Sequence, residues 1–391
     1  MSRSAATAPG ENCTEDLLFQ ILLRLPVKSL VRFKAVSKTW LSLTTSPDFV
    51  KSQLRHALTS NAGDVDNTRL VSLHKSGEED SIALFRPSSG QLVGELKFSY
   101  SQHDNPDNLG SNCFVVGSDI GVVCVGVWNS DHTSSDIYLW NPATNQSKSI
   151  PNKDIDEFET PHIASDPTEF FEFAFDPIDS DFKVVKTFTY KNNDEAYYFS
   201  AVYSAKKNSW REVKPNPLDI PWGTFDVCIH GYLCGRGNYG MVAFDLNKEV
   251  FICNVKLPIP NDASKACLMD FKDSIALVIP QGKGDKINLW TLDDEACLNG
   301  SGLEASWTLM ASIDHLGSPV QFVKGYLDYG DFQLVSEFEN CLSYNEYKNG
   351  TGKVQFYYET LKAFKYTETL VSISDFKQVD RQRQKCLPSK L

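Results

Sequence analysis

The sequence predicts a mixed fold: a small helical head followed by a large all-β domain. Three observations carry this. Residues 13–58 place apolar side chains at helical spacing. Beyond about residue 70 the runs are short, rich in Val, Ile, Phe, Tyr and Trp, and broken by Gly, Pro, Asn and Asp. The two parts also differ in charge. The 391-residue chain has a net charge of −12, yet residues 13–58 carry seven Lys/Arg against three Asp/Glu, a net of +4, so the remainder carries −16. That length suffices for one small and one large domain.

Residues 1–11 are polar, have no apolar core of the kind a secretory leader needs, and read as a flexible tail. The head spans 12–58. Leu17, Leu18, Ile21, Leu22 and Leu25 recur with helical period, and Asn12 with Glu15 three residues on has the pattern of a capping box. Pro26 ends this helix, because proline lacks an N–H and disfavours the α conformation in the residue before it. A second short helix takes Leu30, Val31 and Phe33. A third takes Val36, Trp40 and Leu43 at i, i+4 and i+7, and Pro47 stops it. Phe49 to Leu58 forms a further helical segment. Helices this short cannot bury all their apolar surface among themselves. The surplus either packs on the rest of the chain or forms a docking face for a partner.

Residues 59–68, TSNAGDVDNT, form a linker, 69–375 the β domain and 376–391 a charged tail. Within the β domain a unit recurs in which an aromatic residue ends a strand just before a polar turn. The aromatics are Phe85, Trp140, Tyr203, Phe244, Trp290 and Tyr344, spaced 55, 63, 41, 46 and 54 residues apart. Such spacing points to a β-propeller of about six blades; an antiparallel β-sandwich with many hairpins fits the same strands. The paired strand-like stretches 69–73 and 369–373 are expected to close the ring in one shared blade.

Composition narrows the function. No apolar run approaches the roughly 20 residues a membrane-spanning helix needs. The acidic body argues against nucleic acid as the main ligand. Ten cysteines without a CxxC pair read as reduced thiols of the cytoplasm or nucleus. Gly235–Gly240 spells GxGxxG but lies between two strand patterns, so a hairpin is expected and not a dinucleotide site. Gly350–Lys353 reads as a turn. The seven histidines are scattered, no metal-ligand spacing occurs, and there is no GxSxG elbow. The acidic run Asp154–Glu159 reads as a solvated loop, and Trp128, Trp222 and Trp307 as blade-core residues or exposed contacts.

Leu17–Leu18, Ile21–Leu22, Leu25–Pro26–Val27–Lys28–Ser29–Leu30, Phe33–Lys34, Val36–Ser37–Lys38, Trp40 and Ser46–Pro47–Asp48–Phe49 resemble the plant F-box motif nearly position by position. Leu139–Trp140–Asn141–Pro142–Ala143–Thr144, Phe175–Asp176–Pro177, Asp181–Phe182–Lys183–Val184–Val185, Val202–Tyr203–Ser204, Asn208–Ser209–Trp210–Arg211 and Phe244–Asp245–Leu246 resemble the F-box-associated domain of the same proteins. The resemblance implies a substrate receptor of an SCF-type (Skp–cullin–F-box) ubiquitin ligase. Leu17, Leu18, Ile21, Leu22, Leu25, Pro26, Val27, Leu30, Val36 and Trp40 would then meet a Skp-family adaptor, and through it a cullin and a RING protein. The β domain would hold a target protein. No catalysis, cofactor or metal is implied. A scaffold role outside the ligase and a propeller enzyme are the alternatives. The chain departs from the family at Cys13–Thr14, where Leu-Pro is usual, so restoring that pair is expected to tighten adaptor binding. It also departs at Asp119–Ile120, before Gly121, and at Ala174.

Overall fold

A computed structural model describes residues 9–60, 69–76, 79–86, 91–98, 113–128, 135–152, 168–192, 195–213, 225–237, 239–258, 266–281, 286–299, 304–314, 320–327, 331–336, 341–345, 350–353 and 363–373. Residues 1–8 of the expected N-terminal tail, the C-terminal tail, most of the 59–68 linker, the acidic run 154–159 and Trp222 lie outside the described residues, and residues 9–11 are helical and not tail. No described helix is long and apolar enough to cross a membrane.

The head has four helices: α1 (Pro9–Leu23), α2 (Val27–Phe33), α3 (Lys38–Thr45) and α4 (Pro47–Ser60). α1 begins earlier than the capping-box pattern suggested. Pro9 supplies its first residue, where a missing N–H costs nothing, so Asn12, Cys13 and Thr14 lie inside the helix. Pro26 is the N-cap of α2. The Ser37 side chain accepts the Trp40 N–H at 3.2 Å and starts α3, which leaves Val36 outside the helix it was expected to join. The Ser46 hydroxyl accepts the Phe49 N–H at the start of α4.

Among the described residues the β domain folds into six four-stranded antiparallel sheets. Five are built from consecutive strands. They comprise β4 (Cys113–Asp119), β5 (Val122–Trp128), β6 (Ser135–Asn141) and β7 (Gln146–Ile150); β8 (Thr168–Asp176), β9 (Asp181–Asn192), β10 (Glu195–Ser204) and β11 (Ser209–Glu212); β12 (Val227–Ile229), β13 (Tyr232–Arg236), β14 (Met241–Asp245) and β15 (Val250–Val255); β16 (Cys267–Asp270), β17 (Ile275–Gln281), β18 (Lys286–Leu292) and β19 (Trp307–Asp314); and β20 (Val320–Leu327), β21 (Asp331–Ser336), β22 (Cys341–Asn345) and β23 (Gly350–Lys353). The remaining sheet joins β1 (Arg69–Ser76), β2 (Glu79–Phe85) and β3 (Leu92–Leu96) to β24 (Phe364–Tyr366) from the far end of the chain.

The second, third and fourth sheets bury both faces against their neighbours, which is the packing of a propeller and not of a two-layer sandwich. Val71, Leu84, Val123 and Trp140 pack the first sheet on the second. Val122, Leu139, Phe173 and Phe182 pack the second on the third. Val185, Leu233 and Phe244 pack the third on the fourth, and Cys234, Ala243, Leu268 and Leu277 the fourth on the fifth. The recurrent aromatics of the sequence all fall on the third strand of their sheets: β2, β6, β10, β14, β18 and β22. Gly235 and Gly240 flank a strand-to-strand connection, with Arg236 opposite Met241 and no helix following. Gly350–Lys353 is not a turn: it pairs with β22 as an edge strand.

Ring closure departs from the expected strands. Arg69, Leu70 and Val71 pair with Tyr366, Lys365 and Phe364. Thr369–Ile373 is buried but forms no strand. Its alternating Leu, Val and Ile reproduce a strand pattern because it lies between two apolar surfaces, the propeller and the head.

Candidate docking surface on the helical head

The head divides its apolar residues between two faces. Leu22, Val27, Leu30 and Phe49 form its core together with Leu370 from the C-terminal segment. Leu18, Phe19, Leu25, Phe33, Trp40 and Leu43 pack around them, with Phe19 edge-on to Phe49 at 5.1 Å and Phe33 edge-on to Trp40 at 5.0 Å. Leu17 and Ile21, one turn apart on α1, are 62% and 51% exposed, and Val36 is 62% exposed. Leu41 is exposed as well.

The ten residues expected to meet the adaptor therefore separate into groups. Leu17, Ile21, Pro26 and Val36 face solvent. Leu18, Leu25 and Trp40 are half-buried on the head core. Leu22, Val27 and Leu30 are buried in this chain and shape the surface from beneath. Leu41 went unselected because only helical spacing was read, and its partners on α3 point inward. Part of the surplus apolar surface packs on this chain, and Leu17, Ile21, Val36 and Leu41 remain exposed.

The inward face is seated by residues 367–373, here called the strap. Leu370 N–H donates to Gln53 Oε1 on α4 at 3.2 Å. Asn141, at the end of β6, donates its side-chain amide to the carbonyls of Thr369 at 3.2 Å and Val371 at 2.8 Å. The Thr369 hydroxyl donates to the Ile120 carbonyl at 2.9 Å. Leu54 of α4, Val371 and Ile373 complete the core between the second and third sheets. Lys28 pairs with Glu368 at 3.3 Å, an exposed contact worth little by itself.

The strap enters at one end of the ring. Strands alternate in direction, so the first-to-second and third-to-fourth turns of every sheet share that end. Four of these turns repeat one device: Asn141, Asp176, Ser204 or Asp245 accepts backbone N–H groups two or three residues on. The fifth residue, Asn145, Ser180, Asn208 or Glu249, has a left-handed φ between 52° and 57°. The polar residue after each aromatic was the signal in the sequence, four places ahead of the residue that must turn left-handed.

Buried charges cluster near these turns. Lys183, 2% exposed, meets Asp176 at 3.1 Å and Glu249 at 3.0 Å and donates to the Leu246 carbonyl. Burial pulls its pKa down, but the two carboxylates outweigh burial and hold it above the ordinary lysine value. Glu249 also binds Arg211; burial raises its pKa, and the two cations bring it below the usual range. Lys186 pairs with Glu169 at 2.9 Å and lies over the Phe188 and Phe171 rings. These groups join strands and neighbouring sheets. His230 is likewise committed: Nδ1 meets Glu295 at 2.7 Å and Nε2 meets Asp273 at 3.1 Å, so both ring nitrogens are engaged by carboxylates on opposite sides. Trp128 stacks by Phe114, and Trp307 donates to the Lys256 carbonyl at 2.9 Å; neither is a free contact.

Comparison with known proteins accords with this arrangement. The F-box associated beta propeller domain family matches residues 70–347, and the F-box domain family matches residues 12–52. An F-box/kelch-repeat protein of Arabidopsis thaliana is 24% identical over 93% of this chain and 96% of its own length. A second F-box protein of Arabidopsis thaliana is 30% identical over 56% of this chain; there the match spans about half of the relative, 48%. Among solved structures, TolB from Acinetobacter baumannii aligns over 81% of this chain and 73% of its own, at 10% identity and a TM-score of 0.40, too remote to bear on function.

Proposed function

The chain belongs to the F-box proteins that carry an F-box associated β-propeller domain, and from that premise we propose that it is the substrate-recognition subunit of an SCF-type ubiquitin ligase. The observation that carries this reading is the unpartnered aliphatic side of a head whose other side is already filled. Leu17, Ile21 and Val36 stand exposed while Leu22, Val27, Leu30 and Leu370 are packed beneath. Solvent-exposed Leu, Ile and Val side chains on a head of about 50 residues are what a helical partner would cover. The net charge of +4 on residues 13–58 favours an acidic adaptor and acts mainly on the association rate.

In this reading the protein performs no chemistry. The head binds a Skp-family adaptor, the propeller binds a target protein, and a RING-bound conjugating enzyme transfers ubiquitin. The receptor contributes proximity, raising the effective concentration of target lysines near the charged enzyme. Strap and head cover the tight-turn end of the ring over the second sheet. Co-expression of the full-length chain with a Skp-family adaptor and a cullin tests the proposal. A ternary complex supports it. Adaptor binding without cullin recruitment would favour a scaffold outside the ligase, and no adaptor binding would overturn both.

A further inference from the structure

Asn141 differs from its counterparts in the repeated turn. Asp176 and Asp245 cap their turns with one carboxylate oxygen, and the other oxygen faces cations or an amide: Lys183 and Asn247 for Asp176, Lys248 for Asp245. Asn141 caps in the same way, its Oδ1 accepting Ala143 N–H at 3.0 Å and Thr144 N–H at 3.3 Å. Its second atom, however, faces two carbonyls, those of Thr369 and Val371. Two acceptors there require a donor, so an amide fits where a carboxylate would be repelled. The residue is fully buried. The strap it grips is also gripped from the other side by Gln53 of α4, and Leu370 fills the head core.

We propose that Asn141 and Gln53 are positioning residues: through the strap they lock the head to the second sheet in one orientation, and so fix where the propeller presents its target relative to the bound adaptor. This consequence for ubiquitin transfer rests on the receptor role proposed above; the lock itself does not. Head and ring also touch directly, since Leu54 and Leu58 of α4 pack into the core of the second and third sheets and Ala143 packs on the head core. The strap continues directly from β24 of the ring and meets the head through the Leu370–Gln53 hydrogen bond and the packing of Leu370.

The lock can be read without any ligand. Lys28 Nζ lies 3.3 Å from Glu368 Oε1 of the strap, so a zero-length carbodiimide cross-link between them reports the head held on the strap, while small-angle scattering reports the head held against the ring. The full-length chain is compared with Asn141→Asp, which keeps the turn cap and removes the donor, and with Gln53→Met, which keeps volume and removes the acceptor. Asp245→Asn serves as the control at the equivalent turn. Cross-link yield should fall by roughly tenfold in Gln53→Met, which loosens the strap from the head, as loss of a buried hydrogen bond implies. It should stay unchanged in the control, and small-angle scattering should show a longer maximum dimension in the two variants only. Helical circular dichroism should be preserved. Unchanged cross-linking and scattering in both variants would overturn the lock. Loss of the helical signal together with the cross-link would also overturn it, since the strap would then be a folding element of the head and not a positioning one. Failure of the wild-type chain to bind adaptor would instead sink the receptor role and leave the lock standing.

Discussion

Gly121 and Thr369 are packed so closely that a Cβ on the glycine would meet the Thr369 hydroxyl oxygen at 2.1 Å and the Thr367 carbonyl at 2.9 Å. Gly121 also has φ +86°, a left-handed conformation that L side chains resist. Gly121→Ala should therefore push the strap off the second sheet. The expected cost is about 1–3 kcal/mol, typical of overpacking, and thermal denaturation should show it. A melting temperature equal to wild type would mean the strap has room to move.

The exposed and buried halves of the head should respond differently to substitution. Ile21→Asp and Leu17→Asp sit on an open surface and should leave stability within about 0.5 kcal/mol while abolishing adaptor capture. Leu30→Ala removes a fully buried side chain and should cost about 2–5 kcal/mol. Chemical denaturation beside pull-down distinguishes the two classes. Equal loss of stability in both would show that the outer residues are part of the fold.

Cys13 and Thr14 lie inside α1, which alters what restoring Leu-Pro would do. Proline at position 14 would remove an interior helical hydrogen bond, at a cost near 3 kcal/mol unless the helix restarts there. Cys13→Leu alone should leave helicity unchanged, whereas Cys13→Leu with Thr14→Pro should shorten α1 by about its first turn, read by circular dichroism. Undiminished helicity in the double variant would contradict the observed start at Pro9.

Ring closure and head seating can be separated by truncation. Ending the chain at Tyr366 keeps β24 on β1 but takes Val371 and Ile373 out of the core of the second and third sheets, so the propeller should melt somewhat lower yet in one transition while the head becomes an independent, weaker transition. Ending it at residue 363 removes β24 as well and exposes a sheet edge, so the propeller itself should destabilise cooperatively. Differential scanning calorimetry of both truncations checks this; identical profiles would show that β24 does not close the ring.

His230 gives a stability dependence on the alkaline side. Hydrogen bonds to Asp273 and then Glu295, opposed by burial, raise its pKa from 6.5 to about 10. A folded value above the unfolded one means the contribution is complete below about pH 6.5 and disappears as pH rises toward 10. His230→Asn tolerates the local φ of 50° and should cost about 1.5–3 kcal/mol at neutral pH. It should also flatten the decline between those limits, as urea titrations at several pH values would show. An unchanged slope would place the titration elsewhere.

The helices, the strands and the recurrent aromatics were legible because period and turn chemistry act locally. Pro26, Trp140 and Phe244 each mark a boundary that the structure keeps. The strap was not legible: Leu370, Val371 and Ile373 read as a strand, and Asn141, Gln53 and Ile120, more than 200 residues away in sequence, make it something else. Lys183 and Lys186 were equally hidden, since charge normally implies exposure and their partners come from other strands. Val36 was misassigned because apolar spacing continued past the Ser37 cap.

The most direct measurement is a calorimetric titration of a Skp-family adaptor into the full-length chain, with Ile21→Asp as the paired variant. A saturable one-to-one complex, weakened by at least roughly tenfold in the variant as for a central interface residue, is the expected result. No complex with the folded wild-type protein, or one that Ile21→Asp leaves unchanged, would contradict the assignment of the exposed head surface to adaptor binding.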